Sequence, residues 1–317
     1  MKTKTGTLIA TAVIMLVVAL PVISQECSIQ TITGTYVFRY TGQSFIGGPP
    51  YAIDVVANPA AGVLPLHAPG AYLSGSELGI LTVNPDSSIT ARVWLHMGKF
   101  HTDPSITTLP AQVTSVEIEH GIDGQALGCI ATLALPPDLV GGPATVDKFV
   151  VLDNGNEIRG VHATDGYPVT TSIAVGKRIT RALDAAPRCG TNTMKGSYVA
   201  TCPGLLYNSD GTTMSIASML DLKSLPEGLL SGMLFNRVEN HATESPVHGL
   251  LAMNPDCSGE GYLYGLLPGS GAKALFVLFA YDQGKGAFLL PTELELPNGM
   301  RLPYPSTQSC VVERTAP

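Results

Sequence analysis

Residues 27–42 read CSIQTITGTYVFRYTG, and residues 189–204 read CGTNTMKGSYVATCPG. At a constant offset of 162 residues the two stretches share a cysteine, two glycines, a tyrosine and a valine. Further along, FVVLDNGNEIRGV at 149–161 resembles FVLFAYDQGKGAF at 276–288. The chain therefore contains one module twice, and the second copy is about 33 residues shorter between its first strand and its middle.

Both copies carry the local signals of β-strands. Residues 89–97, ITARVWLHM, alternate strictly, so one side of this strand is predicted to be core. Asn154-Gly155 predicts a two-residue type I′ hairpin, because both residues accept positive φ, and Gln283-Gly284 occupies the same place in copy two. We expect about seventeen short strands, nine of them in the first copy, including one near 50–57.

Such a set of short antiparallel strands must bury one face of each strand and also deal with two sheet edges. Closing the sheet into an up-and-down barrel meets both demands. A two-sheet sandwich meets only the first. The sequence predicts an all-β fold of two tandem antiparallel barrels, with two β-sandwiches as the alternative.

The motifs of the module also resemble a known group of domains. They comprise the leading cysteine, the Gly-Ser/Thr-Tyr-Val first strand, a mid-module Gly-Cys or Asp-Cys-Ser-Gly segment, the phrase FVVLDNGNEI and a closing strand that ends in a basic residue. This pattern resembles uncharacterised secreted bacterial domains that are similar to calycin-type β-barrels, and it covers essentially the whole mature chain. Copy one departs from it with Gly128-Cys129 in place of Asp256-Cys257. The resemblance implies a calycin-like barrel and carries no catalytic residues to transfer.

Residues 1–24 have the layout of a secretory signal peptide, with two lysines, an apolar run and the small residues Val22 and Ser24 before a cut. We expect cleavage near Ser24, secretion to an extracellular or periplasmic location and no membrane span in the mature chain; a retained anchor is the alternative. The predicted domains are barrel 1 at 25–178, a linker at 179–188 and barrel 2 at 189–317.

The charge balance excludes one class of partner. Eighteen Lys and Arg face 25 Asp and Glu, which gives a net charge of −7, and loss of Lys2 and Lys4 makes the mature chain more acidic still. Binding to a phosphate backbone needs the opposite sign, so no nucleic-acid partner is expected.

Six cysteines in an exported chain predict three disulfides, although the count alone permits 15 connectivities. The repeat narrows the choice, because two cysteines of copy one have equivalents in copy two. The predicted pairs are Cys27–Cys129, Cys189–Cys257 and Cys202–Cys310. The copy-one equivalents of the last pair are Tyr40 and Ala174, so both cysteines are missing there together. This third bond would join the two strands that meet when a barrel closes.

Arg92, Trp94 and His96 share one face of a predicted strand, and Trp94 is the only tryptophan. A ring flanked by a cation and an imidazole predicts contact with a ligand such as an acid or a sugar, if that face lines a barrel mouth. The alternative is a solvated outer face on which Arg92 pairs with Glu117 or Glu119.

Several imidazoles and carboxylates raise the question of a metal or an acid–base site. They are His96, His101, Asp103, Glu117, Glu119 and His120 in copy one, and Glu239, His241, Glu244 and His248 in copy two. No pair has the spacing that zinc ligands show on one strand face, so we predict no metal and no catalytic residue. No cofactor motif occurs either.

The leading interpretation is a non-catalytic protein that binds a small apolar or amphipathic ligand, or a surface partner. One alternative is a small-molecule isomerase or hydrolase that uses a His and a carboxylate at a barrel mouth. Another is a structural or adhesive module. An apolar cavity of roughly 300 Å³ or more inside a barrel would favour ligand binding, whereas a lumen filled by side chains would favour the structural interpretation.

Overall fold

The computed structural model describes residues 27–46, 71–97, 100–101, 111–120, 126–135, 145–162, 170–180, 189–207, 213–267 and 269–316. These residues are almost all in strands. One short helix, α1, spans Ile29–Ile32, and three 3₁₀ turns span Asp153–Gly155, Pro226–Gly228 and Asp282–Gly284. The first copy contains β1 (Gly34–Ile46), β2 (Ala71–Val83), β3 (Ser88–Met97), β4 (Phe100–His101), β5 (Ala111–His120), β6 (Ala126–Leu135), β7 (Thr145–Leu152), β8 (Glu157–His162) and β9 (Thr170–Thr180). The second contains β10 (Gly196–Tyr207), β11 (Thr213–Ser224), β12 (Leu229–Val238), β13 (His241–Met253), β14 (Ser258–Tyr264), β15 (Lys273–Tyr281), β16 (Gly286–Glu295), β17 (Arg301–Pro303) and β18 (Cys310–Ala316).

Each copy closes into an antiparallel barrel of eight strands. In barrel 1 the ladder runs β2-β1-β9-β8-β7-β6-β5-β3, and the β2–β3 pairing closes it. In barrel 2 it runs β15-β14-β13-β12-β11-β10-β18-β16, and the β15–β16 pairing closes it. The short strands β4 and β17 extend one edge of each ladder. The predicted tandem barrels are confirmed, and the sandwich alternative is wrong, because closure pairs every edge of the main sheets.

The registers of the two barrels give a residue-by-residue equivalence. Gly34 faces Val83 across β1 and β2, and Gly196 faces Ser224 across β10 and β11. The same ladders place Tyr40 opposite Glu77, and Cys202 opposite Ser218. Positions on these paired strands can therefore be compared directly between the barrels.

The two matching hairpins differ from the predicted turn type. Leu152 pairs with Glu157 across a four-residue loop, in which residues 153–155 have φ of 47°, 51° and 78°. Residues 282–284 repeat this with φ of 49°, 55° and 81°. The two-residue type I′ prediction is wrong, because the loop is shaped by its contact with the first strand. The Tyr36 hydroxyl donates to the Gly155 carbonyl oxygen at 2.8 Å, and the Tyr198 hydroxyl donates to that of Gly284 at 2.8 Å.

The basic residue that ends each copy fastens the last strand to the first. Arg178 lies over the Tyr36 ring, 5.1 Å from its centroid, and its Nε donates to the tyrosine hydroxyl at 3.0 Å. A further nitrogen of Arg178 donates to the Thr31 carbonyl. Arg314 lies over the Tyr198 ring at 5.6 Å and donates from Nη2 to the Lys195 carbonyl. The tyrosine and arginine of the repeated motif thus form a structural contact at the base of each barrel.

The structure contains three disulfides, and they join the pairs that the repeat predicts: Cys27–Cys129, Cys189–Cys257 and Cys202–Cys310. The third lies between the adjacent strands β10 and β18. In barrel 1 Tyr40 faces Ala174 across the corresponding pair of strands. A large and a small side chain therefore replace the cross-link of the other copy.

The two barrels pack against each other through an apolar interface. Trp94 of β3 lies 4.9 Å from Phe279 of β15, measured between ring centroids, and both side chains are buried. The other buried residues of this cluster are Val37, Leu78, Val277, Tyr281, Phe288 and Leu290. Polar contacts cross the interface as well, since the Ser76 hydroxyl donates to the Thr307 carbonyl at 2.8 Å.

Some sequence predictions fall beyond the part of the chain that the structure describes. The signal peptide, the strand near 50–57 and residues 181–188 of the linker lie outside it, and β9 continues to Thr180 inside the predicted linker. The short strands β4 and β17 and the helix α1 were not predicted. Among the described residues no helix is long and apolar enough to cross a membrane.

Candidate functional site

The predicted ligand-binding face on β3 lies at the interface between the barrels. Trp94 is only 3% exposed against barrel 2, and its Nε1 has no hydrogen-bond partner in the part of the chain that the structure describes. Arg92 lies over the Trp94 ring at 4.6 Å and approaches Asp256 of barrel 2 at 3.8 Å. Among the described side chains it forms no ion pair with Glu117, and the side chain of Glu119 lies outside them. The side chain of His96 lies outside the described residues. The face is therefore neither a solvated surface nor a barrel mouth at Trp94, and ligand binding by these three residues stays a prediction.

Barrel 2 encloses an apolar cavity of about 110 Å³. Its wall is built by side chains of seven strands, among them Ala200, Leu220, Phe276 and Leu289. On β11 the wall residues alternate with exposed ones, as expected for a strand with one face in the lumen. The cavity is smaller than the roughly 300 Å³ that would hold a drug-sized ligand, yet the lumen is not completely filled.

A polar segment, residues 305–309, covers one side of this cavity, and we call it the strap. The strap pairs with the last residues of β10, where Tyr207 donates its backbone N–H to the Pro305 carbonyl at 2.8 Å. Gln308 is 3% exposed and donates from its side-chain nitrogen to the Cys202 carbonyl and to the Ser218 hydroxyl, both at 2.7 Å. Gly204 permits this approach, since a Cβ there would lie 2.7 Å from the Gln308 side chain.

The polar groups around the cavity are uncharged. The Ser218 hydroxyl donates to the Asn236 side-chain oxygen at 2.8 Å, which completes the chain of hydrogen bonds that begins at Gln308. Burial raises the pKa of Tyr304, another wall residue, to about 12, so its hydroxyl keeps its proton at neutral pH. The cavity consequently combines an apolar wall with one neutral, hydrogen-bonded edge.

The same layer of barrel 1 is acidic. The Tyr40 hydroxyl donates to Oδ2 of Asp147 at 2.8 Å, and Asp147 is 2% exposed. Glu77 is the cross-strand neighbour of Tyr40 and is partly buried. Burial and the nearby Asp147 carboxylate raise the pKa of Glu77 to about 7. Burial, followed by Asp147, raises the pKa of Tyr40 well above its usual value.

Tyr40, Glu77 and Asp147 occupy the positions in barrel 1 that are equivalent to residues of the cavity wall in barrel 2. The registers match Tyr40 and Glu77 with Cys202 and Ser218. Asp147 matches Phe276, because each lies the same number of residues before the glycine of its hairpin turn. Sequence reasoning missed Glu77 and Asp147, because neither belongs to a motif. The signal that would have found them is the inward position of a charged residue on an alternating strand.

The candidate metal ligands of copy two that the structure describes are not brought together. Glu239, His241, Glu244 and His248 are exposed on the outside of barrel 2, and His248 stacks on Tyr264 with 5.1 Å between ring centroids. Among the described residues no three His, Cys, Asp or Glu side chains are grouped as metal ligands. The side chains of His96, His101, Glu119 and His120, and the whole of Asp103, lie outside the described residues.

Comparison with known proteins gives distant similarities only. No protein-family model matches the chain, and no curated protein matches it. Among solved structures, the chain is similar to a protein of unknown function from the DUF3598 family of Nostoc punctiforme PCC 73102, at 12% identity and a TM-score of 0.26, over 92% of this chain and 98% of that one. It is also similar to the isotype 1 transferrin binding protein B of serogroup B Neisseria meningitidis, at 10% identity and a TM-score of 0.28, over 89% and 77%. Similarities at this level carry no inference about the function of this chain.

Proposed function

We propose that the chain is a secreted, non-catalytic binding protein whose second barrel holds a small apolar or weakly amphipathic ligand. The observation that carries this proposal is the apolar cavity inside barrel 2, lined by Ala200, Leu220, Phe276 and Leu289. Secretion is supported by the three disulfides, which persist in oxidising compartments. The calycin-like relationship belongs to the same proposal, and it rests on the sequence motifs.

The size and chemistry of the cavity limit the ligand. An apolar cavity of about 150 Å³ holds benzene or xenon, so 110 Å³ calls for a ligand of about that size or smaller. None of the described residues that line the wall is charged, and Gln308 already uses its side-chain nitrogen within the protein. The ligand is therefore neutral, because a charged one would leave water without a compensating partner.

Calorimetric titration with benzene tests this proposal. We expect saturable binding to the wild type and its loss in Ala200→Leu, because the added carbons occupy the cavity. Ala217→Leu is the matched control, since Ala217 is exposed on the outer face of β11 and the substitution is the same. The proposal would be contradicted if Ala200→Leu bound benzene as tightly as the wild type does. It would also be contradicted if the wild type did not bind benzene, or if the control Ala217→Leu lost binding.

One observation favours the catalytic alternative, and it lies in barrel 1 rather than at a histidine. Glu77, whose pKa is raised to about 7, shares the lumen with Asp147 and the Tyr40 hydroxyl. A carboxyl group of this pKa suits general acid–base catalysis at neutral pH. Hydrolysis of p-nitrophenyl acetate by the wild type and by Glu77→Gln tests it: a rate that falls in the variant supports an enzyme, and equal rates exclude a role for Glu77 in that reaction.

A further inference from the structure

A second cavity lies between the barrels and differs from the first in size and in the charge of its wall. It is a cleft of about 540 Å³, within the size range of small-molecule sites. Barrel 1 contributes Arg39, Arg159 and Lys177 to its wall, and barrel 2 contributes Lys285 and Arg314. Five of the 18 Lys and Arg of an acidic chain thus converge on one cleft.

The sheet of barrel 1 sets the spacing of these cations. Arg39 and Arg159 both pair with Val175, one on each side, so they lie in one row across β1, β9 and β8. Two neighbouring strand spacings separate their backbones by roughly 10 Å. Lys177 is two residues further along β9, on the same face. Three long cationic side chains therefore surround a space that one small anion can span.

The carboxylates near the cleft do not neutralise it. Asp282 and Glu313 line the wall, and Glu157 forms ion pairs with Lys177 and Arg159 just outside it. Within the described part of the chain, Arg39 and Lys285 form no ion pair. The cleft keeps a positive charge while the protein as a whole is negative.

Two arginines of the cleft have a buried nitrogen without a hydrogen-bond partner among the described residues, Arg39 at Nη1 and Arg314 at Nε. Because Arg314 already contacts the Tyr198 ring and the Lys195 carbonyl, Arg39 is the better candidate for the central contact. A buried guanidinium nitrogen without an acceptor is costly, whereas a hydrogen bond to an anionic oxygen is among the stronger ones. Tyr281 lines the same cleft, and burial raises its pKa to about 12, so it offers a neutral hydroxyl donor beside the cations.

We infer that the cleft between the barrels binds a small oxyanion, the phosphate or carboxylate group of a soluble ligand, with Arg39 as its central contact. This site is separate from the apolar cavity of barrel 2, so the two proposals fail or hold independently. The oxyanion would bridge β1 of barrel 1 and the Asp282–Gly284 hairpin region of barrel 2, and it would add a polar link to the apolar interface between the barrels.

Calorimetric titration of the full chain with inorganic phosphate and with citrate, at constant ionic strength set by sodium chloride, tests the inference. We expect one of the two anions to show saturable binding. Preferential binding of phosphate would indicate a ligand with a phosphoryl group, and preferential binding of citrate would indicate a carboxylate ligand. In Arg39→Gln the affinity should fall by about tenfold or more, as expected for a lost charged hydrogen bond. Lys223→Gln is the control, because Lys223 is exposed on β11 and the change in net charge is the same.

A second variant keeps the test decisive if Arg39→Gln folds poorly. Lys285→Gln changes an exposed residue next to the hairpin turn, and it should also weaken binding while leaving the far-ultraviolet circular dichroism unchanged. The inference is overturned if neither anion binds more tightly than chloride. It is equally overturned if the affinity for the anion is the same in the wild type and in all three variants, Arg39→Gln, Lys285→Gln and Lys223→Gln.

Discussion

The two barrels share the contact that joins the last strand to the first, but they differ in the residues that line the neighbouring part of the lumen. Both fasten the last strand to the first through a tyrosine and an arginine, Tyr36 with Arg178 and Tyr198 with Arg314. Above that contact, barrel 1 carries a tyrosine and two carboxyl groups, whereas barrel 2 carries a disulfide, a serine and a phenylalanine around an apolar cavity.

The outer faces differ as well. On β7 of barrel 1, Phe149 and Val151 are buried while Val150 is 41% exposed. On the equivalent β15 of barrel 2, Phe276 and Phe279 are both buried, although they lie on opposite faces. The two copies thus share the arrangement of strands and differ in the residues that line the lumen of each barrel and in those that each contributes to the interface.

The largest effect is expected at the cross-link that only barrel 2 has. Cys202–Cys310 closes a loop of 108 residues, so the double variant Cys202→Ala/Cys310→Ala should lose about 4 kcal/mol of unfolding free energy in the chain-entropy model. Urea unfolding followed by circular dichroism measures this loss. A loss below about 1 kcal/mol would mean that barrel 2, like barrel 1, closes without help from the bond.

The next effect compares equivalent positions on β15 and β7. Phe279→Ala removes a fully buried ring that packs on Trp94, and it should cost about 3 to 4 kcal/mol. Val150→Ala should cost less than about 0.5 kcal/mol, because Val150 is largely exposed. Trp94 is the only tryptophan, so its fluorescence reports the interface directly. Similar losses in both variants would contradict the packing of the barrels against each other.

A smaller effect distinguishes the two interiors by pH. Glu77 has a pKa of about 7 in the folded protein against 4.5 when unfolded, so the folded state holds this proton more tightly. Its contribution to stability is fully present below pH 4.5 and is lost as the pH rises through about 7. For this partly buried side chain we expect the free energy of unfolding to fall by about 2 kcal/mol over that range.

Glu77→Gln tests this pH dependence, because the amide cannot ionise. The variant should be more stable than the wild type at pH 8 and about equal to it at pH 4, by urea unfolding. Glu117→Gln, which changes an exposed carboxyl on β5, should leave the profile of the wild type unchanged. A wild-type profile that stays flat between pH 4.5 and 7 would show that Glu77 is solvated like an ordinary glutamate.

The sequence was sufficient for features that repeat and insufficient for features that distinguish the copies. The offset between Cys27 and Cys189 predicts the tandem barrels, and the joint absence of cysteines at Tyr40 and Ala174 predicts the third disulfide. The interface could not be predicted, because Trp94 alternates like a solvent-facing residue and only the second barrel buries it. The hairpin loops were mispredicted because their shape depends on Tyr36 and Tyr198, far away in sequence.

The candidate sites depended on the same long-range contacts. Glu77 and Asp147 are 70 residues apart, and Arg39 and Lys285 belong to different copies, so no local pattern links the members of either group. Only the closed ladders bring them to one lumen or one cleft.

Barrel 2 holds an apolar cavity of about 110 Å³ at the level of the lumen that is acidic in barrel 1. A crystal structure under xenon pressure tests it most directly, because xenon enters apolar cavities of this kind. We expect one xenon atom in barrel 2, among Leu220, Phe276 and Leu289, and none beside Glu77 and Asp147 in barrel 1. Xenon absent from barrel 2, or bound equally in both interiors, would contradict the account.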